Sequence, residues 1–204
     1  CAGKREKVEK LSASTQFLLL YFIYQKKQAE RSQSELAEYL NMSAMNVSRA
    51  VQELQELGLL ETRKEGTSKI IKAVATGKEL YQLSSVYLQS PVQKRIYVSL
   101  RNFDMNLPIA GETALAKKSL LNYPKCKVFA MDKKLLKNIP KEAIVEPKLM
   151  TGTDYVEIEL WKYDPSVYAF DDVVDIVSLV QSLKNVENER IEIQVEEIME
   201  EYKW

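Results

Sequence analysis

The sequence contains no histidine at all. That removes the commonest general base and the nitrogen ligand of most zinc sites, leaving carboxylates and lysines for such work. Cysteine is almost as scarce. Cys1 and Cys126 lie far apart, which excludes a disulfide framework and fits a reducing cytoplasm. Long apolar runs are missing too. The longest, FLLLYFIY at Phe17–Tyr24, is eight residues, whereas a bilayer needs about 20, so no membrane partner is expected. No signal-peptide pattern precedes it. The chain opens on Cys1 rather than Met, as a sequence with part of its native N-terminus missing would. Internal repeats and low-complexity segments are absent.

What is there is globular. The 204 residues are 46% hydrophobic and 28% charged, enough to bury a real core in one large domain or two small ones. Net charge is zero but unevenly placed. Residues 1–95 hold 15 Lys and Arg against 10 Asp and Glu; residues 96–204 hold 14 against 19. A basic, anion-facing front half and an acidic rear half follow.

Lys4–Leu11 reads as a charged helical lead-in. Ser12 or Ser14 can cap a helix reaching about Lys27, apolar nearly all round and therefore buried on more than one side. Ser32 can cap the next helix, with Glu35 completing a capping box. Asn41–Ser43 makes a turn, Ser43 caps a third helix, and Gly58 stops it with left-handed backbone. Two β-prone runs, Leu59–Arg63 and Lys69–Ala75, flank a hairpin tip at KEGTS. Thr76 can cap a helix over Gly77–Gln89.

The third helix has a telling surface. Val47, Ala50, Val51, Leu54 and Leu57 form one apolar stripe at helical period. Opposite, its first two turns carry Met45, Arg49 and Gln52, flanked by Asn46 and Ser48. None is acidic, although Glu53 and Glu56 follow at once. A helix that enters the DNA major groove needs this arrangement, because phosphates repel carboxylates near its N-terminus and later turns rise clear. Arg49 could then pair with guanine, Asn46 or Gln52 with adenine, and Met45 or Ala44 could touch a thymine methyl. Ser32, Ser34 and Ser43 lie at helix N-termini, where hydroxyls and backbone N–H groups suit phosphate. Arg63, Lys64 and Lys69 in the hairpin supply positional charge. The alternative is a fold of this kind used only for protein contacts.

Helix, helix–turn–helix, two-stranded hairpin, helix is the order of a winged helix-turn-helix. SQSELAEYLNMSAMNVSRAVQELQELGLLE, the hairpin and the following TGKEL resemble MarR-type transcriptional regulators over roughly residues 12–90. The resemblance implies a regulator that binds double-stranded DNA, in keeping with the cytoplasmic location that the cysteines suggest; the apolar first helix could be buried in a homodimer interface or in an ordinary core. This chain departs from that pattern in a shorter wing without an acidic-and-arginine tip, and in over a hundred further residues.

Pro91 is the expected boundary, giving a winged helix-turn-helix at 1–90 and a small α+β domain at 91–204. RIYVSL, CKVFAM and Tyr155–Tyr163 read as strands; Gly111–Leu121, Asp132–Lys137, Asp171–Leu183 and Asn188–Tyr202 read as helices. IAGETALAKKSLL, KVFAMD and YVEIELWKYDPSVYA resemble the C-terminal domain of AbiEi-type antitoxins. That resemblance implies an autoregulating antitoxin paired with a nucleotidyltransferase-type toxin, and fixes no residue for the contact. A small effector is the other expected occupant of this domain.

Glu157 and Glu159 share one strand face with Asp154 nearby, a carboxylate set that a hydrolytic metal site could use. A solvated outer face opposite inward Val156, Ile158 and Leu160 explains them completely and is the expectation. No catalytic residue, metal ligand or cofactor is therefore assigned. Cys126 sits between Lys125 and Lys127, which could depress its pKa toward a redox sensor; a plain surface cysteine is the alternative. Tyr155, Trp161, Tyr163 and Tyr168 could line an effector pocket, but aromatics on strands are normally core. The acidic tail helix could contact a basic partner or simply be solvated.

Overall fold

The computed structural model describes residues 10–146, 148 and 154–204, so most of the expected lead-in helix lies outside the described residues. The chain divides into two compact units, residues 1–89 with Trp204, and residues 90–203.

The first unit is built on α1 (Ala13–Ile23). Ser12 caps it, its side chain accepting from the Thr15 N–H, and every residue from Thr15 to Ile23 is buried. The FLLLYFI run is thus enclosed on all sides, each large apolar side chain contributing roughly 1.5–3 kcal/mol relative to exposure. The helix ends at Ile23 rather than near Lys27, where the apolar run gives way to Gln25-Lys26-Lys27. Then come β1 (Glu30–Ser32), α2 (Gln33–Tyr39), α3 (Ala44–Glu56), β2 (Leu60–Glu65), β3 (Ser68–Ala73) and α4 (Gly77–Ser84).

The expected caps of α2 and α3 form. Ser32 and Glu35 make the reciprocal capping box, and the Ser43 side chain accepts from the Asn46 N–H. Between them Asn41 takes φ +50°, and Gly58 ends α3 at φ +72°. The strand pairing lies closer to the hairpin tip than the sequence pattern: β2 and β3 pair antiparallel from Leu60↔Ala73 to Glu65↔Ser68. β1, which local propensity does not announce, pairs with the other edge of β3 to give the order β1-β3-β2. Thr76 makes no side-chain cap, and α4 yields at Ser84 to a 3₁₀ turn over Ser85–Tyr87 instead of continuing to Gln89.

The second unit holds β4 (Val92–Ser99), α5 (Gly111–Lys118), β5 (Val128–Asp132), β6 (Tyr155–Trp161), α6 (Ile176–Leu183) and α7 (Glu189–Glu201). Asp132–Lys137 does not form an α-helix; a 3₁₀ helix runs over Lys133–Asn138. α6 begins at Ile176, not Asp171, because Asp171 and Asp172 turn at φ +53° and +59° and Asp175 caps the helix through the Ser178 N–H. The sheet order is β4-β6-β5, antiparallel on one side of β6 and parallel on the other. β6 is therefore central. One face of the sheet buries Ile96, Val98, Val156, Ile158 and Leu160 with Met131, Ile139 and Ala143.

The other face corrects an expectation. Glu157 and Glu159 do not form a solvated outer surface: Glu159 is 1% exposed and Glu157 half-buried. Both faces of β6 are covered, so alternation here separates apolar core from a polar cluster, not core from water. Trp161, on that same face, is fully buried, and Tyr163 nearly so, its hydroxyl 2.8 Å from Ser178 Oγ. Both aromatics are core, as strand aromatics usually are.

Candidate nucleic-acid interface

α3 presents two faces of opposite character. Val47, Ala50, Val51 and Leu54 are fully buried. Ala44, Met45, Asn46, Arg49 and Gln52 are exposed and Ser48 is half-exposed. Met45 leaves 60% of its surface in water, a conspicuous apolar group on a charged protein. The structure also explains why the carboxylate of Glu53 does not spoil this face. Glu53 turns inward, where its Oε2 accepts a hydrogen bond from the Thr15 hydroxyl. Glu56 stays close to the face and takes a hydrogen bond from Gln52 Nε2 at 3.2 Å.

The two helix N-termini differ. At α2 the Ser32 N–H donates to Glu35 Oε2 at 2.7 Å, and Ser32 Oγ lies 3.1 Å from Ser34 Oγ. Hydrogen bonds from the Ser32 backbone N–H and then from its hydroxyl hold the Glu35 carboxyl below its usual range, so a protein carboxylate already occupies that end. α3 has no acidic residue in its first turn, and its exposed Ser43 end stays open to an outside anion. Of the three serines, Ser43 alone caps a helix whose first turn carries no carboxylate.

The wing sorts its cations similarly. Arg63 donates to Glu30 Oε2 at 2.7 Å through Nη2 and to Glu65 Oε2 at 2.6 Å through Nη1. Its charge is matched by two carboxylates, which raises the Arg63 pKa and lowers that of Glu30. Arg63 thus ties β1 to the wing and is a poorer source of free charge than its residue type implies. Lys64 and Lys69 stand directly opposite each other in the β2–β3 register. Neither has an ion-pair partner among the described residues.

A second polar constellation, which sequence reasoning did not assemble, lies in the second unit. Arg95 faces Glu159 across the β4–β6 pair. Its Nε reaches Glu157 Oε1 at 3.0 Å and its Nη2 reaches Glu159 Oε1 at 3.1 Å. Glu159 Oε2 also accepts from the Trp161 indole at 2.9 Å. Burial pushes both carboxyl pKa values up, against the opposing pull of Arg95 and, at Glu159, of the stronger Trp161 hydrogen bond. An arginine inside the strand-like run QKRIYVSL was the available signal, since a strand cation beside a covered face calls for a cross-strand acid. Gly111 closes over this cluster at φ +52°. A Cβ there would meet Val128 Cγ1 at 2.9 Å and Glu159 Oε1 at 3.5 Å. Cys126 does not have the environment of a redox sensor. Burial, then the nearby Glu157 charge, raises its thiol pKa, opposite to what two flanking lysines suggest.

Among the described residues no His, Cys, Asp and Glu group could hold a metal ion, and no helix is long and apolar enough to cross a membrane. No curated protein and no solved structure matches the chain. A family model does: residues 11–69 match that of the MarR family, spanning α1 through the start of β3. The N-terminal region of this chain is a MarR-type winged helix-turn-helix, the architecture of DNA-binding transcriptional regulators.

Proposed function

We propose that the protein is a sequence-specific transcriptional regulator of double-stranded DNA, reading bases with α3 and holding the backbone with its wing. The observation that carries this is the acid-free exposed face of α3, from Ala44 to Gln52, above an N-terminus open to phosphate. Arg49, Asn46, Gln52 and Met45 take the base edges, Ser48 lies at their margin, and Ser43, Lys64 and Lys69 take phosphates. A homodimer on a two-fold operator suits this architecture, each copy reading one half-site.

Selection from a random duplex pool tests the reading. One sequence should be enriched and bound at least about a thousandfold more tightly than random duplex; equal affinity for all sequences would overturn base reading. Lys64→Ala should weaken every duplex to a similar degree and reduce the slope of log K against log salt by about one unit. An unchanged slope would remove Lys64 from the phosphate contacts.

A second reading, an autoregulating antitoxin, is favoured by apolar side chains that the second unit leaves in water. Leu120 is 98% exposed and Phe170 83%, apolar groups that a partner could cover. A nucleotidyltransferase-type toxin encoded beside this gene should then co-purify with the chain, and lose it on Phe170→Glu. Failure of such a pair to associate at micromolar concentration would dismiss this reading.

A further inference from the structure

The Arg95 cluster opens onto a cleft of about 300 Å³ contained in the second unit. Its charged walls are Lys94, Arg95, Glu112, Glu157 and Glu159, with Ser182 and Asn185 as neutral polar groups. We infer that this cleft is a binding site for a small organic cation bearing an ammonium or guanidinium group.

The balance of charge and hydrogen bonding argues for that class. Three carboxylates meet two cations. Arg95 is already divided between Glu157 and Glu159, so its positive charge is spent inside the cluster. Each carboxylate offers about four acceptor positions. For the buried Glu159, Arg95 and Trp161 supply one donor to each oxygen, leaving acceptor capacity toward the cleft. A purely structural ion pair needs one acid for one arginine; here a second acid shares it and a third, Glu112, stands at the rim.

Other ligand classes fit worse. An anion would meet more carboxylates than free cations. A divalent metal lacks a coordinating group of three among the described residues. An apolar molecule would strip water from five charged side chains without replacing its hydrogen bonds. An N–H-bearing cation fills the vacant acceptors and offsets the burial cost that raises both glutamate pKa values. Its binding favours the ionised carboxylates, against the direction in which burial moves them.

Calorimetry on the full chain, with no DNA present, tests the site independently of the proposed function. The probes are putrescine and agmatine, with inorganic phosphate as the anionic comparison. Both cations should give saturable heat, and phosphate should give none. Glu157→Gln should weaken binding about tenfold, the loss of a charged hydrogen bond. Because that variant disturbs a half-buried group, two exposed rim variants stand beside it. Glu112→Gln should weaken the cations about threefold and Lys94→Gln should strengthen them by a similar factor. Absence of saturation with both cations, preference for phosphate, or rim variants that leave affinity unchanged would overturn the assignment.

Discussion

Arg95→Ala should lower the stability of the second unit by about 3 kcal/mol near neutral pH, the low end for removing one partner of a buried ion pair. The low end applies because the guanidinium is 43% exposed, whereas the Glu159 side chain it serves is 2% exposed. What costs energy is the carboxylate left behind. Glu159 would keep only the Trp161 indole hydrogen bond, and Glu157 would lose its closest cation. The effect should depend on pH in a definite direction. Burial already raises the pKa of Glu159 in the folded state, and removing Arg95 raises it further. The folded state then binds more protons than the unfolded chain, so stability falls as pH climbs from the ordinary glutamate range through the raised value. Urea denaturation followed by tryptophan emission reads this directly, Trp161 being fully buried and bonded to Glu159. The variant should lose less at about pH 5 than at about pH 8. A loss below about 0.5 kcal/mol, the range of ordinary surface changes, would mean that Glu159 is satisfied without Arg95.

The same residues mark where sequence patterns stop being informative. In the first unit the first three helices carry their own local signals: Ser12, Ser32 and Ser43 cap them, Gly58 ends the third, and the α3 stripe repeats at helical period. Those signals act over a few residues and survive in a bare sequence. β1 does not announce itself, because Glu30, Arg31 and Ser32 have no β-propensity and become a strand only by pairing with Ile70–Lys72. Arg63 looks like a free wing cation until Glu30, 33 residues earlier, is folded against it. In the second unit the strands were legible from alternation, but not what covers them. An alternating strand reads identically whether its polar face meets water or a helix, so Glu157 and Glu159 passed for solvated groups. The Asp171–Asp172 turn was hidden for a related reason. Acidic residues before an apolar helix resemble a cap, yet the capping residue is Asp175 and the earlier pair makes a left-handed turn.

Arg49→Ala should cost about 1–3 kcal/mol on the preferred duplex, roughly 5- to 150-fold in affinity, and relax selectivity at one base pair. Arg49 is exposed near the start of α3, one turn beyond Met45, and no carboxylate pairs with it among the described residues. Its fork is therefore available to the paired acceptors of a guanine edge. Folding should be indifferent, since a surface position of this kind moves stability by no more than about 0.5 kcal/mol. Arg49→Lys separates the roles of charge and geometry. Lysine keeps the attraction to phosphate but lacks the planar fork, so binding to random duplex should persist while discrimination at that base pair is lost. Fluorescence anisotropy with the selected duplex and a scrambled one, at a fixed salt concentration, reads both quantities. An equal fall on both duplexes in the alanine variant, with full recovery by lysine, would make Arg49 a backbone contact and leave base reading to Asn46 and Gln52.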